Sequence, residues 1–378
     1  MEAPPTDPIP PASSVAQSLV PEVILASGHG AEICANKVEE ARITCAPQDQ
    51  ASTAVFLIDN FFDVEAQAVE LGAQDGDCIV PVSTHNEPST ESVDALTSQV
   101  RNVSNQQPAV VVGFGGGTVM DTAKAVSNLL ANPGKAEQYQ GWDLLGHPGV
   151  PKIGIPTISG TGAEASRTCV ITNPKTGAKL GMNSRYSIFD VVILDPTYSE
   201  SVPRDQFFFT GMDTYMHNIE SLNGRFRNTF ADALARESLS LIKTVFRSSD
   251  MTSFDNRSRL MTASCLGGMA IAGTYVGLIH PMSAALSVVF GTHHGVANCI
   301  VMRAMQPFYP EEFDEFWQFA DQQKIEVPTI RGHALTDHQL ESLIAATLIH
   351  ERPLSNALGL NYREILGGHR LKELFSML

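Results

Sequence analysis

The chain is short of positive charge. Lys and Arg number 25 against 41 Asp and Glu, a formal net charge of −16. Surfaces that hold nucleic acid or an anionic membrane need clustered Lys and Arg, so the expectation is small-molecule chemistry with neither partner. Paired cysteines are also missing. Cys34, Cys45, Cys78, Cys169, Cys265 and Cys299 form no C-x-x-C motif, which points to reduced, buried thiols in a cytoplasmic protein. The first nineteen residues, MEAPPTDPIPPASSVAQSL, hold five prolines and no basic residue. A secretory signal needs a positive start and an apolar core, so residues 1–21 read as a flexible tail. The largest gap is of charge altogether: between Arg259 and Arg303, 43 consecutive positions carry no Asp, Glu, Lys or Arg. That exceeds the ~20 apolar residues of a membrane-spanning helix. It is broken, however, by Gly267, Gly268, Gly273, Gly277, Pro281 and Gly291 and carries His280, His293 and His294. A buried helical hairpin is the better expectation.

With 378 residues, 43% hydrophobic and 17% charged, the chain has the composition of a globular protein of about two domains. Its halves differ in pattern. From Val23 to Pro203, short apolar runs alternate with helical segments. AVFLIDN (54–60), DCIVPVS (77–83), PAVVVGFGGG (108–117), KIGIPTISG (152–160) and DVVILDP (190–196) predict buried strands. Helices are predicted around 92–103 and 118–130. That alternation implies a mainly parallel sheet covered by helices, with ligands at the carboxyl ends of its strands. Beyond Pro203 the pattern is helical, as in 232–246, where Leu234, Leu239, Leu241, Ile242 and Val245 recur among polar neighbours. The expected domains are 22–203 (α/β) and 204–378 (all-α).

Two stretches carry chemistry. In VVVGFGGGTVMDTAKAV, a strand runs through Gly115, Gly116 and Gly117 into a helix. Glycines let backbone N–H groups approach a pyrophosphate. Thr118 is a candidate N-cap and Asp121, three residues on, a capping-box partner. A purely structural turn remains the alternative, since the run is not G-x-G-x-x-G. Asp59, ending VFLID, either accepts a ribose hydroxyl and repels a 2′-phosphate or forms a simple turn. In GMDTYMHNIESLNG (211–224), Asp213 and His217 stand four apart, hence on one helix face. The spacing aims a carboxylate and an imidazole at one point; taken alone, a surface helix with a local hydrogen bond accounts for it.

GGGTVMDTAKA resembles the G-G-G-S-x-x-D-x-x-K signature of the iron-dependent (group III) alcohol dehydrogenases. IPTISGTGAEAS (155–166) is similar to their P-T-x-x-G-T-G-S-E segment, and DTYMHNIES and IHPMSAALSVVFGTHHGVAN to their two metal-binding segments. The resemblance runs from about residue 22 to the C-terminus, with the four motifs in family order. It implies a dinucleotide-binding α/β domain with a mainly parallel sheet plus an all-α metal-binding domain, the fold shared with dehydroquinate synthase. It implies Asp213, His217, His280 and His294 as ligands of one divalent metal, Fe²⁺ or Zn²⁺; the fourteen-residue step from His280 to His294 matches the family. It assigns NAD to Asp59, Gly115, Gly116, Gly117, Thr118, Asp121, Thr157, Ser159, Thr161 and Lys179. His293 matches no ligand position and is a candidate contact to a metal ligand or to substrate, or a candidate catalytic proton-relay residue.

The likeness is narrower across residues 139–224, which resemble the subgroup oxidising the terminal hydroxyl of 3-deoxy-manno-octulosonate (Kdo) on the way to an amino sugar of lipopolysaccharide. Ala284 departs from the many family members that carry a second His there, which puts a proton relay through that position in doubt; the subgroup is similar in lacking that His. Arg167, Asn183, Ser184 and Arg185 are candidate contacts to a sugar acid. The implied activity is NAD-linked alcohol oxidation, with the metal lowering the pKa of the substrate hydroxyl, by a cytoplasmic homodimer. The alternatives are a dehydrogenase of a small alcohol or diol, a dehydroquinate-synthase-like lyase, or a non-catalytic NAD-binding protein. The lyases usually show Glu as first ligand and gather basic residues for a phosphorylated substrate, which Asp213 and its surroundings lack.

Overall fold

A computed structural model describes residues 17–45, 52–103 and 107–378. The five apolar runs become strands of one six-stranded sheet. Its strands are β1 (Glu22–Leu25), β2 (Ala54–Asp59), β3 (Cys78–Val82), β4 (Val110–Gly115), β6 (Lys152–Pro156) and β9 (Val191–Leu194), in the order β1-β9-β6-β4-β2-β3. Every pairing is parallel. All residues of β2, β4 and β6 are buried, which is why these strands read as continuous apolar runs rather than alternating ones. Helices α1 (Gly30–Cys45), α2 (Val64–Glu70), α3 (Thr90–Val103) and α4 (Gly117–Ala131) are interleaved with them. The chain runs from β2 outward to β3, then crosses back to place β4 on the other side of β2. The order therefore reverses between β2 and β4, and the register sets Ile58 beside Phe114 and Gly115 beside Pro156.

A second, three-stranded sheet went unpredicted. It has the order β5-β8-β7, from β5 (Gly141–Trp142), β7 (Thr168–Asn173) and β8 (Ala178–Asn183). β7 and β8 form an antiparallel hairpin whose turn closes through Gly177 N to Asn173 O at 2.8 Å, with Gly177 at φ +67°.

After Val202 the structure is helical: α5 (Arg204–Asn223), α6 (Thr229–Phe246), α7 (Phe254–Thr274), α8 (Ile279–Phe290), α9 (His294–Val301), α10 (Pro310–Gln323), α11 (Asp337–Leu348), α12 (Glu351–Leu358), α13 (Tyr362–Leu366) and α14 (Gly368–Ser376). Their apolar side chains form one cluster, with Phe208, Met212, Tyr215, Phe246 and Leu260 fully buried. The uncharged stretch is not the hairpin its sequence predicts. α7 and α8 bend by 104° instead. Tyr275 takes φ +69°, and Asn356 Nδ2 donates to the carbonyls of Tyr275 and Val276 at 3.2 and 3.1 Å. Among the described residues, no single helix is long and apolar enough to cross a membrane.

The chain forms two compact units. Among the described residues, one holds those of 18–159 and 163–201; the other holds Gln17, 160–162 and 202–378. Most of the expected tail, residues 1–16, lies outside the described residues. Gln17 donates to Met269 O at 2.6 Å, and β1 begins at Glu22.

Candidate metal centre and dinucleotide cradle

Three helices of the helical unit aim donors at one point. α5 supplies Asp213 and His217 one turn apart, the first turn of α8 supplies His280, and the first residue of α9 is His294. Asp213 Oδ1 lies 3.2 Å from His280 Nε2, 3.5 Å from His217 Nε2 and 3.6 Å from His294 Nε2. Ligand atoms of Asp213, His280 and His294 all lie within 4.8 Å of one another. The His217 and His280 rings stack at 4.5 Å. Asp213, His217 and His280 are buried, whereas the His294 side chain keeps 28% of its exposure and marks the open side.

The residues fit a metal ion. Donors ~2.0–2.1 Å from one ion in tetrahedral array stand about 3.4 Å apart, which is the spacing of these nitrogens from Oδ1. Asp213 Oδ2 is buried without a hydrogen-bond partner, a costly state for a polar atom in a protein interior, and it belongs to the carboxylate on which the nitrogens converge. Burial pushes His217 down to about 3, leaving a neutral imidazole with a lone pair to give. Burial alone would raise Asp213, but His217, His294 and His280 hold its carboxyl well below the usual range. Burial opposes charge on His280 too, yet Glu220 and Asp213 bring it up to about 9. Nitrogen and oxygen donors without a thiolate suit Fe²⁺ or Zn²⁺.

Two further residues of this cluster escaped the sequence reading. Glu220, fully buried on α5, pairs with His280 Nδ1 through Oε2 and accepts Ile279 N at Oε1 (2.5 Å). Asn298 on α9 donates to Asp213 Oδ1 at 2.7 Å. The signal was present in the helical spacing. Glu220 is seven residues after Asp213 and Asn298 four after His294, so each shares a face with a ligand candidate. His293 stays apart from this cluster, exposed as the N-cap of α9, and Ala284 lies buried one turn after His280.

In the other unit two of the dinucleotide candidates, Asp59 at the end of β2 and Gly115 at the end of β4, stand where the strand order reverses, the usual place for a ligand in an open parallel sheet. A Cβ on Gly115 would meet Val119 Cγ2 at 2.5 Å and Asp59 Cβ at 3.0 Å. Thr157 follows β6 and donates its N–H to Gly115 O at 3.0 Å. Ser159 Oγ is buried without a partner. Asp59 Oδ1 accepts Phe61 N at 3.0 Å and Thr84 Oγ1 at 3.4 Å, so it shapes a turn while Oδ2 makes neither bond.

The helix start differs from the expectation. Gly116, not Thr118, is the N-cap of α4, and no side chain caps it. Gly117 and Thr118 therefore lie within the first turn. A bare glycine offers no acceptor, so the first-turn N–H groups stay available to an anion. Asp121 is not a capping-box partner. Its Oδ2 accepts Val170 N of β7 at 3.0 Å and its Oδ1 pairs with Lys124 at 3.0 Å. It docks α4 on the hairpin. Lys179, on β8, is held by Glu87 at 2.6 Å. Thr161 belongs to the helical unit. The sugar-acid candidates are largely committed to local structure. Asn183 Nδ2 donates to Gly141 O and Gly181 O at 2.8 and 2.9 Å, and Ser184 Oγ accepts Tyr186 N at 3.2 Å. Arg167 pairs with Asp143, while Arg185 is exposed beside Tyr186.

Comparison with known proteins follows this division. The family model "Iron-containing alcohol dehydrogenase" matches residues 43–196, and that of the same family's C-terminal region matches 207–327. The chain belongs to the iron-containing alcohol dehydrogenase family. Among curated family members, sulfoacetaldehyde reductase of Bilophila wadsworthia is 35% identical over 213 residues, 56% of this chain and 54% of that one. 1-Propanol dehydrogenase PduQ of Salmonella typhimurium is 31% identical over 221 residues, 57% and 56% of the two chains. The matched stretch thus spans about half the length of these relatives. The iron-containing alcohol dehydrogenase fold extends over nearly the whole chain. A crystal structure of 1,3-propanediol oxidoreductase matches with a TM-score of 0.80 at 19% identity, covering 95% of this chain and 99% of that one. Sulfoacetaldehyde reductase from Bifidobacterium kashiwanohense, crystallised with NAD⁺, matches with a TM-score of 0.76 at 20% identity, covering 96% and 97%.

Proposed function

We propose that the protein is an NAD-linked, metal-dependent alcohol dehydrogenase. The observation that carries this reading is the convergence of three imidazole nitrogens on Asp213 Oδ1 at 3.2–3.6 Å. Asp213, His217, His280 and His294 would hold one Fe²⁺ or Zn²⁺. Bound there, the metal supplies Lewis-acid polarisation of the substrate oxygen, and NAD supplies hydride acceptance. The chain's own residues bind and orient. The first-turn N–H groups of α4 would bind the pyrophosphate, the missing Cβ of Gly115 and Gly116 would admit it, and Asp59 would accept a ribose hydroxyl. Burial of Asp213, His217 and His280 keeps water from three of the four donors.

For the substrate we infer Kdo or a similar sugar acid, oxidised at its terminal hydroxyl as a step towards an amino sugar of lipopolysaccharide. The support is the sequence likeness across 139–224 together with Ala284. Arg185, the exposed member of the polar set, is the cation most accessible to a carboxylate. The enzyme is read as a cytoplasmic homodimer. The test is NADH formation over a panel of Kdo, propanediol, propanol and ethanol, with metal analysis of the same preparation. Sites that hydrogen-bond their substrate reject analogues lacking those groups, so Kdo should far outpace the simple alcohols. Brisk turnover of propanediol with none of Kdo removes the sugar-acid reading and leaves the dehydrogenase. A stoichiometric metal and tightly bound NAD with no net NADH from any alcohol favours a lyase.

A further inference from the structure

Glu220 lies in the interior with both carboxylate oxygens in use. Oε2 meets Nδ1 of His280, and Oε1 accepts the N–H of Ile279 at 2.5 Å. It is 1% exposed, so these two bonds are its means of compensating a buried charge. The far nitrogen of the same imidazole, Nε2, points at Asp213 Oδ1 from 3.2 Å. Opposite it, Gly277 leaves room for the carboxylate: a Cβ there would come within 3.0 Å of Glu220 Oε1. A neutral imidazole carries one proton on one of its two nitrogens, and a ligand nitrogen must be the bare one. With a metal at Nε2, the one proton of the ring sits on Nδ1, where Glu220 Oε2 accepts it.

We propose that Glu220 is a positioning residue of the metal centre, fixing the Nδ1–H tautomer and ring orientation of His280 while anchoring the first turn of α8 through Ile279. This rests on the metal reading of Asp213, His217, His280 and His294. Glu220→Gln keeps the size but offers one oxygen for two donors. Either Ile279 N–H or His280 Nδ1 then faces an amide NH₂. In the second case the ring takes the other tautomer, and Nε2 carries the proton and no longer binds metal.

The full-length wild type and Glu220→Gln are titrated with Co²⁺ against a competing chelator, with the visible spectrum of the bound ion recorded and NAD⁺ binding followed by calorimetry. The expected result is a loss of about 10–100-fold in Co²⁺ affinity, an altered spectrum, and unchanged NAD⁺ affinity. A Glu220→Gln protein with wild-type Co²⁺ affinity and spectrum overturns the proposal. A second measurement needs no variant at this position. In Zn²⁺-loaded wild type with ¹⁵N-labelled histidine, the resonance lost on His280→Gln should report an Nδ1–H tautomer; an Nε2–H tautomer overturns the proposal. If the wild type itself takes up no Co²⁺, the metal reading falls and Glu220's role with it. A variant equal to a Co²⁺-binding wild type removes Glu220 alone.

Discussion

Asp213 bears an unusual load for one side chain. Its Oδ1 stands within 3.6 Å of three imidazole nitrogens and also accepts Asn298 Nδ2 at 2.7 Å. Replacing His217 or His280 with Ala should therefore abolish bound metal and turnover together, and leave NAD⁺ affinity as it was because the cradle lies in the other unit. Metal analysis beside calorimetry checks this; a variant keeping full metal and turnover would show the donor set to be wrong. At Asp59 the expectation concerns cofactor choice. Asp59→Gly should shift the NADP/NAD efficiency ratio towards NADP by about 1–3 kcal/mol, because a carboxylate facing the 2′-position is removed. If that ratio does not move, the bonds to Phe61 and Thr84 are the whole of Asp59's role. That Asp213, His217, His280 and His294 come together was legible through the family resemblance, whose two metal-binding segments hold all four. Glu220 was not, because a buried Glu on an apolar helix reads as an exception until its partner 60 residues away is in place. Asp121 was misassigned for a related reason. Counting three residues from Thr118 presumed where the helix begins, and the bare glycine before it had already begun it.

At the scale of elements, the parallel strands were readable since burial on both faces leaves an unbroken apolar run. The β7–β8 hairpin has no such run: its buried positions include Asn173 and Asn183, on opposite faces, polar groups satisfied by turn and cross-strand bonds that exist only once the hairpin and β5 are in place. The break between α7 and α8 was equally hidden. It is pinned from outside by Asn356, about 80 residues downstream. The β4–α4 turn is a close junction between elements. Gly115→Ala would drive a methyl to 2.5 Å from Val119. Relief of that clash should cost about 1–3 kcal/mol of stability and displace the first turn of α4, weakening NAD⁺ binding. Thermal unfolding and calorimetry measure the two effects; an unchanged NAD⁺ affinity would mean that this turn does not hold the cofactor.

At the scale of the whole molecule, the chain enters and leaves the helical unit more than once. Gly160 N and Gly162 N donate to Ser264 Oγ at 2.9 and 3.1 Å, and Thr214 Oγ1 donates to Gly160 O at 2.7 Å. A Cβ on Gly160 would lie 2.0 Å from Thr210 O, so this short loop is built against α5 and α7 as one of their own parts. Gene dissection at residue 202 would cut across that arrangement. Residues 202–378 made alone would lack the partners of Thr214 and Ser264, losing about 1–3 kcal/mol for each group left unsatisfied. That fragment should be less stable than the same helices in the intact chain, as hydrogen exchange of α5 and α7 would report. A proteolytic cut at the same place in the folded protein is a different event, because residues 160–162 stay seated among the helices and tether the two pieces without a covalent bond. During synthesis the order matters as well. The tripeptide leaves the ribosome about 40 residues before α5 begins, yet Gly160 must wait for Ser264, 104 residues further on, before its N–H finds its acceptor. The helices thus close on a segment made long before them, which makes completion of the helical unit a late event in the life of the nascent chain.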